Sequence, residues 1–355
     1  MRHILTWIPP AALLAAVAAP PPAGMLPGAG VPPLVADADG AKGFIVNPNG
    51  GVTALDLANG DVLWESKDPG RPMATAGDRV LVQARDKDKA NVLRVLGLKI
   101  ADGSKAWESD PIVLPDWAAA EPGRGAGRSF SSHAWTDKGA VLIAWQAGAW
   151  YWGGAAPSPE ILKRSQHNAD GVARVDLDSG KVEMLDTAKA PPGGAKLSKE
   201  LEKAAGPNAA VAGDYAAAVA GEPSGAKQKV VLKRWDLATE KPLDPVVLTE
   251  GGLYQIVMLP SAGLVLVRED SPGEATWTAY ALATGKEAAK FNTEPGAGEF
   301  SVIGPRAYYV VRGKPTGPPF GGVIPRTLKA VDLKTGKRLW ERPLEGEQLP
   351  PPPPP

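Results

Sequence analysis

Short runs rich in β-branched and aliphatic residues, separated by Gly, Asp and Pro, dominate the chain and predict strands joined by tight turns. Val52 to Leu57, Val230 to Leu237 and Leu328 to Leu333 are such runs. Phe44 to Asn47, Arg79 to Ala84, Val141 to Trp145, Ala216 to Ala220, Leu264 to Arg268 and Ala307 to Arg312 are further strand candidates. Helix signals are confined to two places. Ser158-Pro159-Glu160 supplies a cap, a proline at the first helical position and an acid, running towards Gln166. Ser198 to Ala205, closed by Gly206-Pro207, has both a start and a stop.

The strand pattern repeats. Ala54-Leu-Asp-Leu-Ala-Asn-Gly60-Asp-Val-Leu-Trp64-Glu65 is the first copy, and Gly97 to Glu108, with Gly103 and Trp107, the second. The third, fourth and fifth run from Arg174 through Gly180, from Arg234 to Lys241, and from Tyr280 through Gly285. The sixth is Ala330-Val-Asp-Leu-Lys-Thr-Gly336-Lys-Arg-Leu-Trp340-Glu341. In each, a strand leads into a turn whose glycine takes positive φ at little cost, and a second strand leaves it. Asp56, Asp176, Asp236 and Asp332 stand four residues before the turn position, where a short carboxylate accepts bonds from turn amides. Copy four has Glu240 in place of the glycine, which makes it the weakest turn. Four strands in each unit of about 40 to 50 residues, repeated around a ring, predict an all-β fold, a single β-propeller of four-stranded antiparallel blades. Six copies give six blades; a seventh assembled from the chain ends is the alternative.

The pattern ALDL-x-x-G-x-x-LWE resembles the PQQ-type propeller repeat, shared by quinoprotein dehydrogenases and by BamB-type envelope assembly propellers. The resemblance covers roughly residues 33–345, with the first and sixth copies its specific matches. It implies that the repeat tryptophan docks one blade on the next, a structural role for Trp64, Trp107 and Trp340. Copies three, four and five place Met184, Asp244 and Ala289 at that position, so docking is expected to be degenerate over half the ring.

Blade geometry sorts the long segments 109–130, 151–170, 187–208 and 313–325. Each falls after a second or a fourth strand, and such connections open on one side of the disc. They are expected to gather over one mouth of the ring, and long loops on a rigid scaffold are where binding resides.

Composition narrows the function. Lys plus Arg number 39 and Asp plus Glu 39, so no excess of positive charge seeks phosphate, and nucleic acid is not an expected partner. Cysteine is absent, which removes disulfides and thiolate chemistry. Arg2 and His3 precede an apolar run, Ile4 to Ala19, interrupted by Pro9-Pro10 and ending in small residues. Residues 1–23 therefore read as an export signal, with a retained anchor as the alternative, and 24–32 as a Pro/Gly linker. No later stretch is long enough to cross a bilayer. A periplasmic or secreted location is expected. Residues 346–355, with six terminal prolines, read as a polyproline II tail.

The candidate chemistry is sparse. The resemblance to quinoprotein dehydrogenases implies a stacked quinone, a Ca²⁺ and an Asp base, often with a vicinal Cys pair at the quinone. The missing cysteines, and the lack of a carboxylate-rich segment, argue against that equipment, and no cofactor is expected. Trp150, Tyr151 and Trp152 form the densest aromatic cluster with Trp145, and Trp117 follows Pro115-Asp116. They are either a binding platform or buried packing beneath the neighbouring insertion. Asp86, Asp88 and Asn91 offer oxygen ligands, but interleaved lysines and the absent loop glycine point to a solvated hairpin tip. His133 beside Ser131 and Ser132 lacks a nucleophile elbow, and with His167 provides little for zinc. The sequence thus points to a non-catalytic scaffold that binds an envelope protein, using Trp117, Trp150, Tyr151 and Trp152. A quinoprotein-type oxidoreductase or a glycan-binding or glycan-active propeller is the alternative.

Overall fold

The computed structural model describes residues 34–47, 50–68, 70–86, 88–89, 91–115, 126–151, 167–187, 197–205, 209–224, 227–250, 255–271, 273–317 and 322–348. Among them the strands form six sheets, each an antiparallel meander of four consecutive strands. The first holds β1 (Val35–Ala36), β2 (Lys42–Val46), β3 (Val52–Asp56) and β4 (Val62–Ser66). The second holds β5 (Arg71–Ala76), β6 (Arg79–Arg85), β7 (Val92–Lys99) and β8 (Lys105–Glu108), with short β9 (Ile112–Val113) paired to β7. β10 (Ala126–Asp137), β11 (Ala140–Tyr151), β12 (His167–Asp176) and β13 (Val182–Leu185) make the third. A helix, α1 (Lys199–Ala205), leads to the fourth: β14 (Ala210–Ala212), β15 (Tyr215–Ser224), β16 (Lys227–Asp236) and β17 (Pro242–Glu250). The fifth is β18 (Gln255–Leu259), β19 (Leu264–Ser271), β20 (Glu274–Ala281) and β21 (Glu287–Thr293). The sixth is β22 (Ala297–Ile303), β23 (Arg306–Arg312), β24 (Val323–Asp332) and β25 (Arg338–Gln348). The last strand pairs Gln348 with Val323, so it runs past residue 345 into the segment that the sequence reads as tail.

One hydrogen-bonding module recurs in every sheet. The residue after the Asp position donates its N–H back to the turn joining the first two strands: Leu57 to Ala41, Ile100 to Asp78, Leu177 to Gly139, Leu237 to Asp214, Leu282 to Gly263 and Leu333 to Pro305. The two tight turns of each sheet are thereby tied together at the same end. In the glycine turns the glycine N–H bonds the carbonyl four residues earlier, at φ between 68° and 81°. Glu240 adopts φ 55°, the left-handed region that disfavours a Cβ.

The turn carboxylates do what their spacing predicts. Asp176 Oδ1 accepts from Ser179 N and Oγ, Asp236 Oδ1 from Thr239 N and Oγ1, and Asp332 Oδ1 from Thr335 N and Oγ1. Bonds from the hydroxyl and amide of Ser179 hold Asp176 below its ordinary value. The amide and hydroxyl of Thr239 and of Thr335 do the same for Asp236 and Asp332. A depressed folded-state value contributes stability above the unfolded value, and that stability is lost as pH falls through the folded one. We expect the Asp176→Asn, Asp236→Asn, Asp332→Asn triple variant to lose less stability than the parent between about pH 5 and pH 2. Parallel acid limbs in urea unfolding would refute the assignment.

Apolar clusters among the described residues join five pairs of neighbouring sheets. Phe44, Val52 and Ala54 of the first sheet pack with Val80, Val82 and Leu98 of the second. Leu81 and Val95 meet Val141, Ile143 and Trp145 of the third. Ala217 and Leu232 of the fourth pack on Val265 and Val267 of the fifth, whose Trp277 and Phe291 meet Phe300 and Tyr309 of the sixth. Tyr308, Val310 and Leu328 of the sixth return to Ile45, Leu55 and Leu57 of the first. The chain is therefore an all-β propeller whose last sheet packs on its first. No described sheet combines strands from the two chain ends, the arrangement that a seventh blade would require.

Side-chain docking follows the tryptophans where they exist. Trp64 packs on Gly103 and donates Nε1–H to the Ile100 carbonyl (2.9 Å). Trp340 packs on Gly60 and donates to the Leu57 carbonyl (3.2 Å), which also accepts from Arg306 (2.9 Å) and Tyr308 (3.3 Å). Trp107 lies against Gly180, where the equivalent Leu177 carbonyl accepts from Arg79 (2.6 Å) and the indole Nε1–H has no partner. Ala289 stands opposite Ala279, matching the place of Trp64 opposite Ala54. Met184 and Asp244 depart from the expectation. β13 lacks the bulge of the tryptophan copies, so Met184 pairs with Ala173, turns to the other face and is 51% exposed. In the fourth sheet docking passes from Asp244 to the buried Arg234, which bonds the Ala283 and Asp244 carbonyls (2.8 and 3.0 Å).

Candidate functional site

The meander fixes which end of each sheet is built up. Connections from first to second and from third to fourth strand are the tight turns tied by the recurring bond. The opposite ends carry the long segments. β8 ends at Glu108 and β10 begins at Ala126; β11 ends at Tyr151 and β12 begins at His167. β13 ends at Leu185 and β14 begins at Ala210; β23 ends at Arg312 and β24 begins at Val323. All four connections follow a second or a fourth strand, so they belong to the same end of the sheets.

The base of the insertion after β8 is closely hydrogen-bonded. After β8, Ser109 exchanges bonds with Val95, its Oγ accepting from the Val95 amide (2.9 Å). Ile112 and Leu114 then bury into the core between the second and third sheets. Arg94 braces this base through Asp86 (3.1 Å) and the Ser109 carbonyl (3.2 Å). Asp86 also accepts from the amides of Asp88 and Lys89 (3.0 and 3.2 Å); the Asp88 bond, then Arg94, hold its carboxyl below the ordinary value. The hairpin is thus closed by its own bonds, and among the described residues no group of three His, Cys, Asp or Glu could hold a metal ion. Arg268 braces the fifth sheet in the same manner, reaching Asp270 (2.7 Å), Gln255 (3.1 Å) and the Pro295 carbonyl (2.8 Å) beside the Trp277 ring. Between β23 and β24, Thr316 and Val323 exchange backbone bonds (2.8 and 2.9 Å) and close a small secondary hairpin.

The third sheet stands tallest. β11 has 12 residues against 10 in β15, 7 in β6 and 5 in β2, although all four start from a tied turn. The excess over β6 is about 16 Å of extended strand, all at the insertion-bearing end. Trp150 and Tyr151 occupy the tip of this extension, paired with Gly127 and Ala126 of β10. The backbone thus places these two candidate residues at the end of the β10–β11 ladder remote from its turn, while Trp117 and Trp152 lie outside the described residues. Ser132 is buried and hydrogen-bonded to Gln83 Oε1 (2.5 Å), and His133 is paired within the sheet opposite Ala144. His167 starts β12 opposite Ala149. The helix read at Ser158 lies outside the described residues. The helix read at Ser198 is α1, with the Leu201 amide donating to Ser198 Oγ (3.1 Å).

The family model for the outer membrane protein assembly factor BamB matches residues 22–291, more than half of the chain. The chain belongs to the BamB family. The BamB structure from Moraxella catarrhalis aligns over 88% of this chain and 76% of its own at 14% identity and TM-score 0.27. AtxE2 isopeptidase aligns over 93% of this chain at 9% identity and TM-score 0.49, but this chain spans only 53% of it. Quinohemoprotein alcohol dehydrogenase ADHIIG from Pseudomonas putida HK5 gives 15% identity and TM-score 0.27, over 86% of this chain and 57% of its own. At such values the neighbours carry no argument about activity. No curated protein sequence matches.

Sequence reasoning passed over the arginines. Arg79 and Arg306 each open a second strand and reach the turn carbonyl of the following sheet, Leu177 and Leu57 respectively. Aligning the upstream strands as carefully as the turns would have exposed that shared position.

Proposed function

We propose that this chain is a non-catalytic, exported propeller that binds a protein partner in the cell envelope through its insertion-bearing end. The observation that carries the reading is the overrun of the third sheet, which lifts Trp150 and Tyr151 beyond the neighbouring strands on a hydrogen-bonded hairpin. Aromatic residues on a rigid support lose little conformational freedom on binding and commonly dominate interface energy. Membership of the BamB family supports a scaffold, and the apolar segment at 4–19 supports export. Among the described residues no helix is long and apolar enough to cross a membrane.

The test is a crosslinking pull-down from the native envelope with the parent chain and a Trp150→Ala, Trp152→Ala variant of unchanged circular dichroism. Capture of a protein by the parent that falls about tenfold or more in the variant is the expected result. Equal capture would move the site off the third sheet. No captured protein, with glycan-array binding or quinone reduction in its place, would overturn the scaffold reading.

A further inference from the structure

The ring has one seam unlike the others. Described apolar clusters bridge the first to second, second to third, fourth to fifth, fifth to sixth and sixth to first sheets. The third and fourth sheets are the remaining pair, and their facing surfaces fall into two separate clusters. On the third sheet, β11 sends Val141, Ile143 and Trp145 to the second sheet, and the alternate Leu142 packs on the opposite face with Trp135 and Val172. On the fourth, β15 sends Ala217 and Val219 to the fifth sheet, and the alternate Ala216 and Ala218 form the opposite face with Trp235. The group seated on that second face is α1, through the buried Leu201, with Leu197 and Ala205 beside it.

Two further features mark the same seam. At the other seams an indole or an alanine of the outer strand, or the bonded Arg234 of β16, stands at the docking place, whereas here Met184 faces away. The turn it would have covered is the one with Glu240 at φ 55° rather than glycine.

We propose that the propeller is jointed between its third and fourth sheets, with α1 as a peg inserted on the fourth sheet's face. Opening occurs first at this joint because, among the described residues, the facing surfaces of the two sheets share no apolar cluster. The joint lies between the third and fourth sheets, which carry the longest second strands, 12 and 10 residues, and the long connection from β13 to β14 spans it.

Hydrogen exchange on the full chain, read by mass spectrometry, tests this. β11 and β15 are compared with β2 and β6, which hold the same second place in their sheets. Protection about tenfold or more lower in β11 and β15 is expected. Leu201→Ala is expected to accelerate exchange by a further factor of about ten in β15, leaving β2 and β6 unchanged. Equal protection in the parent chain overturns the joint. A uniform acceleration across all four strands in Leu201→Ala shows that the helix is ordinary core and overturns the peg. Should Leu201→Ala not fold, Ser198→Ala removes only the cap and is read by the same comparison.

Discussion

Trp340→Ala is expected to lower the unfolding free energy by about 3 kcal/mol, whereas Met184→Ala changes it by less than about 0.5 kcal/mol. Both side chains stand four residues after a turn position in their copies, so a repeat-based reading assigns them the same role. The structure separates them. Trp340 packs on Gly60, bonds the Leu57 carbonyl and lies beside the Tyr308 ring at 5.8 Å between centroids. Its loss removes aromatic area from the seam that closes the ring, where among the described residues no strand pairing joins the first and sixth sheets. Met184 is exposed because its strand lacks the bulge that would have aimed it at the next sheet. Urea unfolding of the two variants decides the matter. Equal losses would mean that the tryptophan does not lock the ring.

Gly60→Ala is expected to cost about 3 kcal/mol alone, and only about 1 kcal/mol when introduced into Trp340→Ala. Two effects add in the first case. Gly60 has φ 81°, where any Cβ is strained, and an added Cβ would lie 2.7 Å from Trp340 Cε3. Removing the indole relieves the contact and leaves the backbone strain, so the two changes couple. Gly213→Ala, at φ 58° with nothing within 4 Å of its Cβ, is the control that isolates the strain. The converse change, Glu240→Gly, relieves a non-glycine at φ 55° and is expected to stabilise by about 0.5 to 1 kcal/mol. Additive losses for Gly60→Ala and Trp340→Ala in denaturant titrations would show that turn and indole do not meet.

How legible the protein was in its sequence differed by feature. The turns were legible because their chemistry is local. An aspartate, a glycine four residues later and a hydroxyl between them fix a bonded loop without reference to the rest of the chain, as Asp332, Thr335 and Gly336 show. The second strands were legible because they are the most buried, as with Ala307 to Val310 in β23. The insertion-bearing end followed by counting, since a meander assigns every second connection to the same side. The aromatic cluster Trp150-Tyr151 is visible in the sequence as composition, but its height in the third sheet is not, because that depends on how far β10, β11 and β12 stay paired.

What the sequence determined by itself was the all-β repeat, its turn chemistry and the end that bears the insertions. Each rests on contacts between residues close in the chain. The tertiary structure decided which side chain locks each seam. Arg79 takes the Leu177 carbonyl, Arg234 takes over docking in the fourth sheet, and Met184 turns outwards. Such pairings depend on bulges that shift strand register by one residue, and a one-residue shift sends a side chain to the opposite face. It also decided that α1 lies on the fourth sheet's face, because Leu201 finds its apolar surroundings only once Ala216, Ala218 and Trp235 are brought together.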